Sequence, residues 1–229
     1  MLKELLSVFR SEEPLGKLAK NFAAMLRLTH DLAVRAGESY FGEPATAEQR
    51  TAIYKQDVKV NKLERKIRKR VIAHLSLQTN TVDLPYCLLL MSLVKDAERI
   101  GDYAKNLSEV RELHPGPLPE GDILAELKEI RTGVEEAFEA TSEVFAKSDR
   151  EEAAELIREG RDLAHRGDAL LAAIARSPYP ADATTAFVLG ARYYKRINGH
   201  ILNILSSVVM PLHKLDYYDE RELEETEAS

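Results

Sequence analysis

The feature that most constrains this chain is a helical rhythm interrupted at only a few places. Between residues 15 and 213, apolar side chains recur at intervals of three and four, the spacing that gathers them on one face of an α-helix. The interruptions are Gly42-Glu43-Pro44, the stretch HPGPLPEG at residues 114–121, and Pro178 with Pro180. Helices are therefore expected at about 15–40, 46–77, 83–113, 122–146, 149–176 and 181–213. Thr46, Asp83 and Ser148 stand where N-caps are needed, and Pro85 suits the first turn of the third helix. HPGPLPEG divides the chain into halves of three helices each, 15–113 and 122–215. Ahead of them lies a short amphipathic segment, residues 1–14, with Leu2, Leu5, Leu6 and Phe9 on one side; residues 216–229 form an acidic tail.

Composition agrees with an all-α fold. Trp is absent and aromatic residues are 7% of the 229, against 45% hydrophobic content, a profile that disfavours sandwiches and barrels while filling a core. The net charge of −6 comes with no Lys/Arg stripe interleaved with aromatics, so nucleic acid is not expected as a partner. The single cysteine, Cys87, sits inside CLLLMSLV and reads as a buried hydrophobe in a reducing compartment. No secretory leader is expected, and YCLLLMSLV, the longest apolar run, is about half a membrane span. The protein is expected to be cytoplasmic.

The second helix carries the first chemical signal. Ile53, Asp57, Val60, Glu64, Ile67 and Val71 alternate four and three residues apart, the inner seam of a left-handed bundle, and two of the six are carboxylates. In the third helix the seam Cys87, Met91, Val94 continues into Glu98, with Asp102 one turn on. If the two helices are antiparallel neighbours, Asp57, Asn61 and Glu64 face Glu98 and Asp102. Converging carboxylates must be neutralised by protons, by Arg or Lys, or by a cation. An all-oxygen donor set favours Mg²⁺, Ca²⁺, Mn²⁺ or oxygen-ligated iron, with Zn²⁺ less natural and Ni²⁺ or Cu²⁺ poor choices. The same residues also read as a salt-bridge network with Lys62, Arg65, Arg68, Lys95 and Arg99.

The second half repeats the pattern and then departs from it. Ile157, Arg161, Ala164, Asp168 and Leu171 keep the spacing at a constant offset from the first half, and KRINGHILNI at 195–204 aligns with ERIGDYAKNL at 98–107. Arg161 replaces Asp57, Lys195 replaces Glu98, and Gly199 replaces Asp102. Cationic positions cannot rebuild a cation site, so Arg161 or Lys195 is expected to pair with Asp168, with His165 and His200 nearby.

DVKVNKLERKI at 57–67 and LVKDAERIGDYAKNLSEV at 93–110 resemble the PhoU family of phosphate-signalling proteins, with its D-x-x-x-N-x-x-E helix and its E-R-I-G-D helix. The resemblance implies two tandem three-helix bundles side by side, and it implies metal ligation at Asp57, Asn61, Glu64, Glu98 and Asp102 by iron, zinc, magnesium or manganese. It also implies an adaptor rather than a catalyst. The expected role is regulation of phosphate uptake and phosphate-starvation signalling, through contact with a phosphate ABC transporter and a sensor histidine kinase; some relatives accompany a low-affinity phosphate permease instead. A homodimer with peripheral membrane association is expected.

Other classes find little support. A carboxylate-bridged di-iron enzyme calls for Glu-x-x-His on two helices, which the chain lacks. No nucleophile-base constellation, phosphate-cradling glycine loop or dinucleotide fingerprint is present. A purely structural dimerising bundle is the remaining reading, and Leu18, Phe22, Met25 and Leu26, like Tyr193 and Tyr194, read as core or dimer contacts with no function assigned.

Overall fold

A computed structural model describes residues 14–77 and 83–216. The expected amphipathic segment and acidic tail therefore lie outside the described residues, apart from Pro14 and Asp216. Among the described residues there are six α-helices: α1 Pro14–Phe41, α2 Ala47–Leu77, α3 Leu84–Glu109, α4 Asp122–Lys147, α5 Arg150–Ala175 and α6 Ala181–Val209. Among the described residues there is no strand and no helix long and apolar enough to cross a membrane.

Helix ends show where local chemistry was read well and where it was not. Thr46 caps α2 through a reciprocal box: its Oγ1 accepts from Gln49 N at 3.2 Å, and its own N–H donates to Gln49 Oε1 at 2.8 Å. Asp83 does not cap α3; its carboxylate instead meets His74 Nε2 at 2.9 Å, fastening the end of α2 to the start of α3. Ser148 is not the N-cap of α5 but the left-handed residue closing α4, with φ of 57°. Asp149 takes the cap, accepting from Glu151 N at 3.2 Å and Glu152 N at 3.1 Å. The third helix stops at Glu109 and tightens into one 3₁₀ turn, Val110–Glu112, short of the expected Leu113.

α1, α2 and α3 pack on one another, as do α4, α5 and α6; α3 against α6 and α1 against α4 join the two bundles, leaving α2 and α5 as outer edges. The heptad seam of α2 is buried as its spacing requires, with Ile53, Val60, Ile67 and Val71 in the core. The stripe Leu18, Phe22, Met25 and Leu26 is likewise core rather than surface, and Cys87 is fully enclosed, its thiol pushed up to about 11 by burial. In α5 the buried stripe runs through Ala153, Ile157, Gly160, Gly167, Leu170 and Ile174, so the expected seam position Asp168 faces outward.

One core spans both bundles, and small residues let them approach. Phe22 of α1 meets Phe145 of α4 edge-on with centroids 5.3 Å apart. Tyr40 crosses from α1 to α6, where its hydroxyl donates to the Ala186 carbonyl at 3.0 Å over the bare face of Gly190. A Cβ at Gly190 would lie 2.2 Å from Tyr40 Oη and 2.4 Å from Cζ, and the fully buried, hydrogen-bonded ring has nowhere to go. Gly190→Ala should therefore cost about 1–3 kcal/mol by overpacking. Gly199→Ala, at a helical site with nothing within 4 Å, should instead stabilise by about 0.5–1 kcal/mol. Urea unfolding of the two variants checks the opposite signs.

Candidate functional site

The carboxylates gather between the outer helix α2 and its neighbour α3. Helical spacing puts Asp57, Asn61 and Glu64 along one edge of α2, and Glu98 and Asp102 one turn apart on α3. Asp57 is only 6% exposed, and the Glu64, Glu98 and Asp102 side chains are 17%, 20% and 29% exposed. Burial, then the Asp102 and Glu64 carboxylates, push the Glu98 carboxyl above its ordinary value against the pull of Arg99, and Asp57 adds to the rise. Four carboxylates thus share one electrostatic locality, drawn from two helices.

Lys105 is the resident counter-ion. Its Nζ stands 3.5 Å from Asp57 Oδ2 and 3.3 Å from Asp102 Oδ1, bridging α2 and α3. Burial pulls the ammonium down, yet Asp57 and Asp102 outweigh it and hold its pKa above the ordinary lysine value. Glu64 is held by Arg68 of its own helix at 2.8 Å. Arg99 lies 3.9 Å from Glu98 and 3.7 Å from Asp102, but it is 53% exposed and contributes little. Asn61 Nδ2 reaches Asp57 Oδ2 at 3.5 Å, while its buried Oδ1 has no partner.

The donors are all oxygen, the chemistry of a hard cation, and the orphaned Asn61 Oδ1 and the over-crowded Glu98 both have capacity to spare. Among the described residues, however, no three His, Cys, Asp or Glu side chains stand as a ready-made ligand set. The salt-bridge reading and the cation-site reading therefore meet in one place: the ammonium of Lys105 lies where the negative charge converges.

Among the described residues the second bundle has no such cluster. Lys195 pairs with Asp168, the internal pairing anticipated from the replaced positions. His165 is exposed, and His200 turns away from that pair. Its Nδ1 meets Asp96 Oδ1 at 2.8 Å, and Asn203 Nδ2 donates to the same oxygen at 3.0 Å. Asp96, with no exposure, is thus a second acidic feature of α3, aimed at the other bundle. Tyr103 covers this seam, stacked on His200 at 5.7 Å between centroids, with Arg196 Nε on its hydroxyl at 3.1 Å.

Sequence reasoning passed over Lys105, three residues beyond Asp102 on the same helix face, and Asp96, whose only signal was a carboxylate two residues before Glu98. It also passed over the outside of α2. Contrary to the expectation from overall composition, that helix exposes a row of Lys and Arg beside Tyr54.

Two tandem three-helix bundles with an acidic cluster on the outer edge of the first define the class: a duplicated helical-bundle protein. The sequence model for the PhoU domain matches residues 22–110, ending where the first bundle ends. Residues 22–110, which make up most of the first bundle, are thus similar to a PhoU domain. By shape it is similar to PhoU from Pseudomonas aeruginosa, with TM-score 0.77, 21% identity, and coverage of 85% of this chain and 95% of that one. It is also similar to the phosphate transport system regulatory protein PhoU from Streptococcus pneumoniae, with TM-score 0.71, 16% identity, and coverage of 84% and 92%. No curated protein matches it by sequence.

The raised Glu98 pKa has a consequence for stability. Between the ordinary 4.5 and the higher folded-state value, the folded protein binds the proton more tightly than the unfolded chain, so stability falls as pH rises through that window. Above the window the Glu98 charge is a net burden. Glu98→Gln should therefore melt higher than the parent at neutral pH in the presence of a chelator, with the difference vanishing in acid. Melting curves across pH with the two proteins side by side check this.

Proposed function

We propose that this protein is a regulator of phosphate uptake and phosphate-starvation signalling: a cytoplasmic, homodimeric adaptor whose amino-terminal bundle binds a metal ion. The reading is carried by the acidic cluster, in which burial and three neighbouring carboxylates raise Glu98 on a helix that lies within the residues matched to the PhoU domain. Asp57, Asn61, Glu64, Glu98 and Asp102 are the residues that would hold a hard divalent or trivalent cation. Such an ion supplies more positive charge than one ammonium and relieves the repulsion that Lys105 leaves at Glu98. Lys105 would then be released from between Asp57 and Asp102, freeing a mobile cation beside α2 and α3. Zinc, iron, magnesium and manganese all accept oxygen ligands, with magnesium and manganese best suited to an all-oxygen set.

The protein similar in shape from Streptococcus pneumoniae is titled a phosphate transport system regulatory protein, which supports a transporter-linked role here. The partners proposed are a phosphate ABC transporter and a sensor histidine kinase. A low-affinity phosphate permease is the alternative transporter. Catalysis is not proposed: the cluster includes neither a His base nor a nucleophile, and the described cysteine is enclosed with its thiol protonated.

Elemental analysis of protein equilibrated with manganese and desalted should show bound metal that disappears in Glu98→Ala/Asp102→Ala. Equal metal in both would reject the site. Loss of the gene should raise uptake of labelled phosphate in phosphate-replete cells. A rise that persists without the ABC transporter would assign the protein to the permease instead.

A further inference from the structure

The outer face of α2 carries a charge pattern that neither the fold nor the acidic cluster uses. The helix holds nine Lys/Arg against three Asp/Glu, a net of +6 in a chain whose total is −6. Seven of the cations, Lys55, Lys59, Lys62, Arg65, Lys66, Lys69 and Arg70, are exposed. At 100° per residue they fall within one outward arc, away from the buried seam of Ile53, Val60, Ile67 and Val71. Along the helix they extend for about 22 Å.

Two observations set this row apart from an ordinary solvated face. Each of these cations has another three or four residues along the helix, the spacing at which like charges destabilise it, and none of the seven is in an ion pair among the described residues. Acidic neighbours that would have quenched the repulsion are spent inward: Asp57 on Lys105 and Glu64 on Arg68. Large apolar side chains also stand exposed along the same helix, Tyr54 and Val58 at 46% and Ile72 at 60%. Among the described residues nothing covers this face: α2 packs on α1 and α3 through its other side.

We infer that the outer face of α2 docks on the headgroups of an anionic membrane. Lipid phosphates neutralise the row and remove its self-repulsion, while Tyr54, Val58 and Ile72 enter the boundary beneath the headgroups and the lysine stems lie across it. Since the rest of the chain carries the balancing −12 implied by +6 on α2 and −6 overall, the molecule is strongly polarised and turns this edge toward the surface. A lipid surface fits better than duplex nucleic acid because the arc contains no Asn or Gln to read a base, whereas the exposed Val58 and Ile72 gain nothing from a phosphate backbone.

The full-length protein should float with phosphatidylcholine vesicles containing one-third phosphatidylglycerol, stay behind with phosphatidylcholine alone, and be released by salt. Lys62→Glu/Lys66→Glu/Lys69→Glu should bind at least about 100-fold more weakly. Lys62→Gln/Lys66→Gln/Lys69→Gln should fall in between, with helicity and melting of both variants confirming that they fold. Binding of the Glu triple variant equal to the parent, tighter binding of the parent to a DNA duplex than to the vesicles, or no binding to anionic vesicles at all would each overturn the inference. Because the variants leave Asp57, Glu64, Glu98, Asp102 and Lys105 untouched, the outcome is independent of the metal site.

Discussion

The structure turns on how this chain compensates carboxylates that have lost their water. Asp57 is 6% exposed on an outer helix, and across the gap stand Glu98 and Asp102. A buried charge without a partner costs several kcal/mol. Lys105 answers this for Asp57 and Asp102 by lying between them, and in doing so ties α2 to α3. It does not answer for Glu98, whose carboxyl is pushed up instead. The first bundle is therefore neutralised only in part, which is the condition under which an additional cation, or a proton, has work to do.

The two bundles divide this labour unequally. In the second, the positions matching the carboxylates hold Arg161, Lys195 and Gly199, and Lys195 closes on Asp168 in an ordinary edge pair. Its contribution is support. Ala186, Gly190 and Tyr194 of α6 receive Tyr40 and its neighbours from α1, and His200 and Asn203 satisfy one oxygen of the fully buried Asp96. Asp96 and Glu98 thus leave the same helix in different directions. One is held in the inter-bundle seam by His200 and Asn203, and the other is left short of counter-charge beside α2. The first fixes the helix that presents the second.

How much of this was legible follows from the range of each interaction. Apolar periodicity and the Pro/Gly breaks located six helices because both act within a few residues, and the Thr46 box was readable for the same reason. Asp83 and Ser148 misled because two neighbours competed for one job: His74 lies within reach of Asp83, and Asp149 offers a stronger acceptor than Ser148 one residue later. The seam of α5 was misplaced because carrying over the register of α2 assumed that Asp168 is interior, whereas Gly160 and Gly167 take the buried positions. That Asp57, Asn61 and Glu64 would face Glu98 and Asp102 across α2 and α3 followed from helix geometry. The place of Lys105 did not, since a lysine on a mixed-charge helix carries no mark of the carboxylate it will meet 48 positions away.

The charge on α2 unites these features. Its inner edge spends Asp57 on Lys105 of α3 and Glu64 on Arg68 of its own helix, and its outer arc from Lys55 to Arg70 is left without an acidic partner. A helix that arranged its Glu and Lys as alternating pairs on one surface would gain a few tenths of a kcal/mol from each pair. This helix forgoes that gain on its exposed side while accepting desolvation on the other. Neither face improves the isolated protein: the inner one leaves Glu98 over-crowded, and the outer one repels itself. External charge of opposite sign would relieve each, a cation on the inner face as proposed for the acidic cluster and an anionic surface on the outer. The two faces belong to one helix packed on the same two neighbours, so the proposed cation site and the proposed docking face share a single edge of the first bundle.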